Sequence, residues 1–247
     1  MRFWRCEALG LPAPATLRCL QPLPDGMAIG ADRGLVLYRG GRFLPFPWPR
    51  GARHESRVEA MALHDGVLHI ATTRSRFSWS LEGPVKGQGM PRDPGGVYDE
   101  IHALFSDEEG LVTAWRTHLE GAEGPGEVGC LARTRGSLWA GTLTGKLYAD
   151  GALQRTFKGP IRHLLAHEDR LYVAAGGALH TFDGAWHSEP GEPYALAWCE
   201  GLCLLRRGKL EVAGSVVDLP LARPWSLASS PDGLWIGGVG GLVLRDP

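Results

Sequence analysis

One phrase recurs seven times along this chain, and no other feature restricts the possible folds as much. Its clearest copy opens at Val128 with an apolar run. It turns at Gly136, resumes through Leu138, Trp139, Ala140, Gly141 and Thr142, and continues past Gly145 into Leu147 and Tyr148. Near the C-terminus the same phrase returns as Trp225 to Gly238, turning at Gly233 and passing Leu234, Trp235 and Ile236. Aligning all copies gives one column of large apolar residues: Leu20, Met61, Leu104, Leu131, Leu164, Leu196 and Leu227. The residue before it is small in six copies (Cys19, Ala60, Ala103, Cys130, Ala195, Ser226), with His163 the exception. A glycine follows at 26, 66, 110, 136, 201 and 233, where a hairpin between two apolar runs needs positive φ. The fifth copy has Asp169 and Arg170 there instead.

Successive column residues lie 41, 43, 27, 33, 32 and 31 apart, and 40 separate Leu227 from Leu20 if the ends are joined. Four short strands with tight turns need roughly 35 residues. The spacing therefore predicts an all-β, seven-bladed β-propeller with four-stranded antiparallel blades, forming a single domain over 1–247. The seventh copy stops after its third strand, Leu242 to Arg245, whereas Arg2 to Glu7 resembles the outer segments Arg42–Phe46 and Ala185–His187. The N-terminal strand is thus expected to complete blade 7, built from about 221–247 plus 1–10. That interlock removes a free sheet edge. A sandwich would not repeat one phrase seven times, and an open solenoid would need polar caps.

The repeat, best matched at Leu138–Thr142 and Leu234–Gly238, resembles that of the sensor propellers of bacterial two-component regulators. The resemblance implies the fold and not a kinase role, because those regulators carry longer arrays and a signalling module. The Gly-His and Trp-Asp signatures of WD repeats are absent.

Formal net charge is −1, with no Lys/Arg run, so no nucleic acid partner is expected. No apolar stretch reaches the 18 residues a bilayer span needs, and no membrane partner is expected. The charged N-terminus does not resemble a secretory signal, and five cysteines without a C-x-x-C pair suggest free thiols. These readings predict a cytoplasmic location. Arginine outnumbers lysine 22 to four and asparagine is absent, the usage of a GC-rich bacterial genome.

Catalytic signatures are missing. His167-Glu168 begins a zinc-protease motif, but Leu171 stands where the second histidine belongs, and there is no G-x-S-x-G. No metal, cofactor or catalytic residue is expected. His64, His69, His163, His180 and His187 read as structural imidazoles, and Cys199 and Cys203, flanking a turn, as small buried thiols. The expected function is a non-enzymatic intracellular scaffold that binds one or more proteins; the alternative is an enzyme or small-ligand sensor using the axial channel.

Partner-binding candidates come from two places. Two positions before the apolar column stand Arg18, Glu59, His102, Gly129, Arg162, Tyr194 and Trp225. Strand alternation would put them on the column's face at the channel rim, a mixed cationic and aromatic ring of interface composition. The proline-rich stretch 45–54 is expected to form a loop displaying Trp48 as an anchor, and 82–96 a second long loop without core pattern. The third copy is short, so its outer strand is expected to be missing or irregular.

Overall fold

Each turn glycine allows one hairpin, and the hairpins stack into sheets that run outward from a common axis. The computed structural model describes residues 1–49, 57–73, 75–89, 99–191, 193–206 and 208–246. It contains seven antiparallel sheets, and within each the strands pair in sequence order. Blade 1 is Leu17–Leu23, Gly26–Ala31, Gly34–Arg39 and Arg42–Pro45; blade 2 is Val58–His64, Val67–Thr72, Ser75–Trp79 and Lys86–Gly89. Blade 3 has Ile101–Asp107, Gly110–Trp115 and the short Leu119–Glu120; blade 4 has Val128–Thr134, Ser137–Thr142, Lys146–Ala149 and Ala152–Thr156. Blade 5 is Ile161–His167, Arg170–Ala175, Ala178–Phe182 and Trp186–Pro190; blade 6 is Ala195–Trp198, Leu202–Arg206, Lys209–Val212 and Ser215–Asp218. Blade 7 takes Arg223–Ser230, Gly233–Val239 and Gly241–Arg245 from the C-terminal end, and Arg2–Arg5 as its outer strand. The first strands touch one another in unbroken succession, blade 7 against blade 1 included, so the ring is closed.

The seven-bladed fold is as the repeat predicts, with one local difference. Six sheets have four strands and blade 3 has three among the described residues, as its short repeat implies. Residues 121–126 take the place of the missing strand. A Cβ on Gly124 would fall 2.5 Å from the Leu119 side chain, and Ala122 packs on the blade's apolar cluster. The segment 82–96 is less irregular than expected, because Lys86–Gly89 forms the outer strand of blade 2; 90–96 lies outside the described residues. In the stretch 45–54, Pro45 pairs with Val36 at the end of an outer strand, and 50–54 lies outside the described residues.

The one turn without glycine has its own support. In blade 5 Glu168 adopts the left-handed conformation (φ 50°), and its carbonyl accepts a 2.8 Å hydrogen bond from Thr134 Oγ1 of blade 4. Its counterpart in blade 4, Arg135, is left-handed too (φ 54°), so the first turn residue keeps this conformation without glycine in both blades.

Closure rests on packing more than on charge. Arg2, Phe3, Trp4 and Arg5 pair with Leu244, Val243, Leu242 and Gly241. Trp4 stacks on Trp235 of blade 7 (6.1 Å between centroids) and meets Phe43 of blade 1 edge-on (5.3 Å). Cys6 and Leu9 of the short 3-10 turn Cys6–Leu9 are buried in the same cluster. The ion pair Arg2–Asp246 (2.8 Å) is half exposed and screened by solvent, so it adds little. Deleting residues 1–10 should therefore cause insolubility or a large fall in melting temperature, whereas Asp246→Ala should leave the melting temperature almost unchanged. Thermal denaturation of both variants checks this; a deletion as stable as the full chain would show that the strand does not close the ring.

Candidate functional site

The seven positions singled out two residues before the apolar column share a backbone feature. The register between first and second strands shifts between Leu17 and Cys19, Val58 and Ala60, Ile101 and Ala103, Val128 and Cys130, Ile161 and His163, and Pro224 and Ser226. The skipped residues are Arg18, Glu59, His102, Gly129, Arg162 and Trp225. In blade 6, Tyr194 donates its N–H to Leu205 O (2.7 Å), and Leu205 is also the partner of Ala195. Each position is the extra residue of a β-bulge. Strict alternation, which would have put these side chains on the column's face, does not hold there, because a bulge adds a residue with no cross-strand partner and re-aims it.

Arg18, Glu59, Arg162, Tyr194 and Trp225 line one cavity of about 470 Å³ at the mouth of the channel, with Gly129 in its wall. His102 does not line it; its Nε2 is enclosed without a hydrogen-bond partner among the described residues. Two other contributors were not singled out in the sequence. Leu143, 47% exposed, fills the space left by Gly129, where a Cβ would lie 2.9 Å from its Cδ2. His163 was the exception in the small-residue column, and that misfit was the available signal.

The mouth is polar and unevenly paired. Glu59 forms an ion pair with Arg57, and its side chain is only 17% exposed. The Arg18 guanidinium lies 5.8 Å from the centre of the Trp225 ring, and its enclosed Nε has no hydrogen-bond partner among the described residues. Trp225 is 47% exposed and Tyr194 46%. His163 Nδ1 is enclosed without a hydrogen-bond partner among the described residues. Burial pushes the His163 pKa down to about 4, keeping the ring neutral at pH 7. No group of three or more His, Cys, Asp or Glu suited to a metal occurs among the described residues.

Trp48 is not the displayed anchor that its prolines suggested. It is half buried, edge-on to Phe46 (4.8 Å) and Phe77 (5.1 Å), on the apolar cluster between blades 1 and 2. The aromatic pocket outweighs the loop's tendency to project. It also lies outside the mouth cavity.

No family profile and no curated protein matches this sequence. Solved structures do. The extracellular domain of the hybrid two-component system designated BT3049, from B. thetaiotaomicron, matches with a TM-score of 0.81 and 13% identity. That match covers 100% of this chain and 41% of the other, so the chain spans about two fifths of that domain. The extracellular domain of BT4673, a one-component system of the same organism, gives 0.58 at 16% identity over 93% of this chain and 32% of its own. The WD40 β-propeller domain of Doa1 gives 0.69 at 13% identity, covering 93% of each chain. The fold resemblance read from the repeat is borne out. At such identities a shared fold does not carry an activity.

The cytoplasmic expectation is overturned by these neighbours, since the bacterial propellers of this architecture are extracellular domains. Its premise was weak physically as well. The thiols that suggested a reducing compartment are packing residues in the blades, and packing does not depend on compartment.

Two measurements test the site's description. His163 has a lower pKa folded than the ordinary 6.5, so the unfolded chain binds the extra proton between about pH 6.5 and 4. Stability should fall as pH drops through that window, by an amount on the order of 3 kcal/mol. His163→Ala, which restores the residue type most copies use, should flatten that slope in denaturant titrations; an unchanged slope would show that the imidazole is solvated. Trp48→Ala should cost about 2 kcal/mol, part of the 3–5 typical of a fully buried tryptophan. A loss below about 0.5 kcal/mol, as for surface changes, would return Trp48 to the surface.

Proposed function

We propose that this chain is a non-enzymatic recognition module that engages a protein partner through the channel mouth formed by Arg18, Glu59, Arg162, Tyr194 and Trp225. The observation that carries the reading is convergence. Side chains freed from cross-strand pairing by bulges in five different blades meet at one cavity, and two of them expose large aromatic surface. Tyr, Trp and Arg are the residues enriched in the energetic centres of protein interfaces. A catalytic reading fits less well. Among the described residues the cavity wall offers one carboxylate, already held by Arg57, and one imidazole held neutral, which is no acid–base pair. The occurrence of this fold as an extracellular domain of two-component systems supports a recognition role in general terms.

The second reading is a small-molecule site in the same channel, favoured by the cavity's volume, which falls within the range of ligand pockets. Panning a displayed peptide library on the purified protein separates the two. Binders should be enriched whose affinity falls at least tenfold for Trp225→Ala and Tyr194→Ala, with melting temperature unchanged. Enriched peptides indifferent to both changes would move the binding face elsewhere. A small molecule co-purifying in stoichiometric amount, seen by native mass spectrometry and lost with Trp225→Ala, would favour the second reading.

A further inference from the structure

Several arginines of this protein are matched to carboxylates. Arg39 pairs with Asp25, Arg76 with Glu120 (3.0 Å), Arg133 with Asp107 (2.6 Å) and Glu109 (2.8 Å), and Arg206 with Glu189 and Glu211. Arg18 is not among them. Its guanidinium has the Trp225 ring beside it at 5.8 Å, and among the described residues its enclosed Nε has no hydrogen-bond partner and the side chain forms no ion pair. Supply is not the reason, because the chain carries 27 acidic residues. The carboxylate of the adjacent blade, Glu59, is taken by Arg57. A partly buried cation with unmet donors loses free energy until an acceptor arrives. A second enclosed polar atom without a partner, His163 Nδ1, lies on the wall of the same cavity.

We infer that the mouth cavity receives an acidic side chain, Asp or Glu, from the protein partner, its carboxylate seated on Arg18 and its flanking apolar surface on Trp225 and Tyr194. This rests on the protein-binding reading of the mouth and adds the chemistry of what enters it. Arginine's planar fork matches a carboxylate in two parallel hydrogen bonds, and such charge-assisted bonds are roughly twice as strong as neutral ones. The Trp225 face holds the guanidinium in place, so little side-chain freedom is lost on docking. Glu59 in the same wall disfavours a doubly charged phosphate more than a singly charged carboxylate, because the repulsion scales with the guest's charge. The cavity volume suits the tip of a loop rather than a whole domain element.

The test is a titration of the isotope-labelled full chain, read at the Trp225 indole N–H and the Arg18 Nε–H resonances. The probes are a blocked pentapeptide with glutamate at its centre, its glutamine counterpart, and inorganic phosphate. The glutamate peptide should shift both resonances saturably, bind at least tenfold more tightly than the glutamine peptide, and lose at least tenfold in Arg18→Gln. Glu59→Gln, which removes the like charge, should tighten glutamate binding severalfold. If Arg18→Gln does not fold, Arg18→Lys and Glu59→Gln carry the test, the former weakening and the latter strengthening the same titration. Equal binding of the two peptides would overturn the acidic specificity while leaving the mouth a peptide site. Phosphate binding more tightly than the glutamate peptide would overturn the carboxylate assignment. If neither peptide moves either resonance, this inference fails, and binders from the displayed library that still depend on Trp225 and Tyr194 would leave the protein-binding reading standing.

Discussion

Everything in this ring depends on how one blade grips the next. Among the described residues no hydrogen-bonded ladder joins neighbouring sheets, apart from an isolated bridge between Thr16 and Val239 at the closure, so cohesion falls to side chains. Each first strand begins near a buried residue: Leu17, Val58, Ile101, Val128, Ile161, Pro193 or Pro224. Where the preceding blade's second strand carries glycine, this residue fills the space above it. A Cβ on Gly30 would come within 2.8 Å of Val58, on Gly141 within 2.7 Å of Ile161, and on Gly237 within 2.9 Å of Leu17. In the next interfaces alanine serves, with Ala71 beside Ile101 and Ala114 in the cluster of Val128. Burying each such Val, Leu or Ile is worth about 1.5–3 kcal/mol, and five of the seven interfaces have one. The contact between Gly237 and Leu17 closes the circle with the same chemistry that builds it.

That grip also explains where variation is permitted. The register shift falls directly after the gripping residue, and a bulge there bends the strand locally. The residue it adds has no partner across the ladder. It is therefore free of the demands that keep the apolar column uniform, and seven copies hold Arg, Glu, His, Gly, Arg, Tyr and Trp at one site. A structural necessity of the scaffold thus yields a set of variable side chains at one end of the channel. Where glycine occupies the position, in blade 4, a neighbouring turn fills the space with Leu143, so that the wall stays continuous.

The parts of the fold legible in the sequence are those whose physics repeats. The apolar column, the small residue before it and the turn glycines recur because the same packing problem is solved seven times, and closure followed from counting strands. What was not legible arises from contacts between copies or from single residues. Trp48 looked like a displayed loop residue because its partners, Phe46 and Phe77, come from different blades, and no periodicity links them. The outer strand Lys86–Gly89 is exposed at every position, so it shows no alternation of apolar and polar residues. The bulges leave no mark in composition. The ring residues were correctly grouped by alignment, but for a reason of alternation that the bulges remove, and His102 proved to stand outside the cavity that five of the others line.

The cysteines show how a compositional signal can mislead. Cys19 and Cys130 occupy the small-residue column, and each Sγ lies against a glycine of the second strand, where a larger side chain would not fit. Burial pushes both thiols up to about 12, and that of Cys203 up to about 11. The nucleophilic and oxidisable form is the thiolate, so at neutral pH these groups are chemically quiet. Cys6 is fully buried in the closure cluster, its thiol directed at Ala15 O (3.5 Å). Cys203 Sγ faces the carbonyls of Gly201 (3.6 Å) and Cys199 (3.7 Å) in its own turn. Thiols held in this way do not require a reducing environment. Their number therefore reflects the demand for small, apolar, polarisable fillers at the blade contacts, and compartment has to be judged on other grounds.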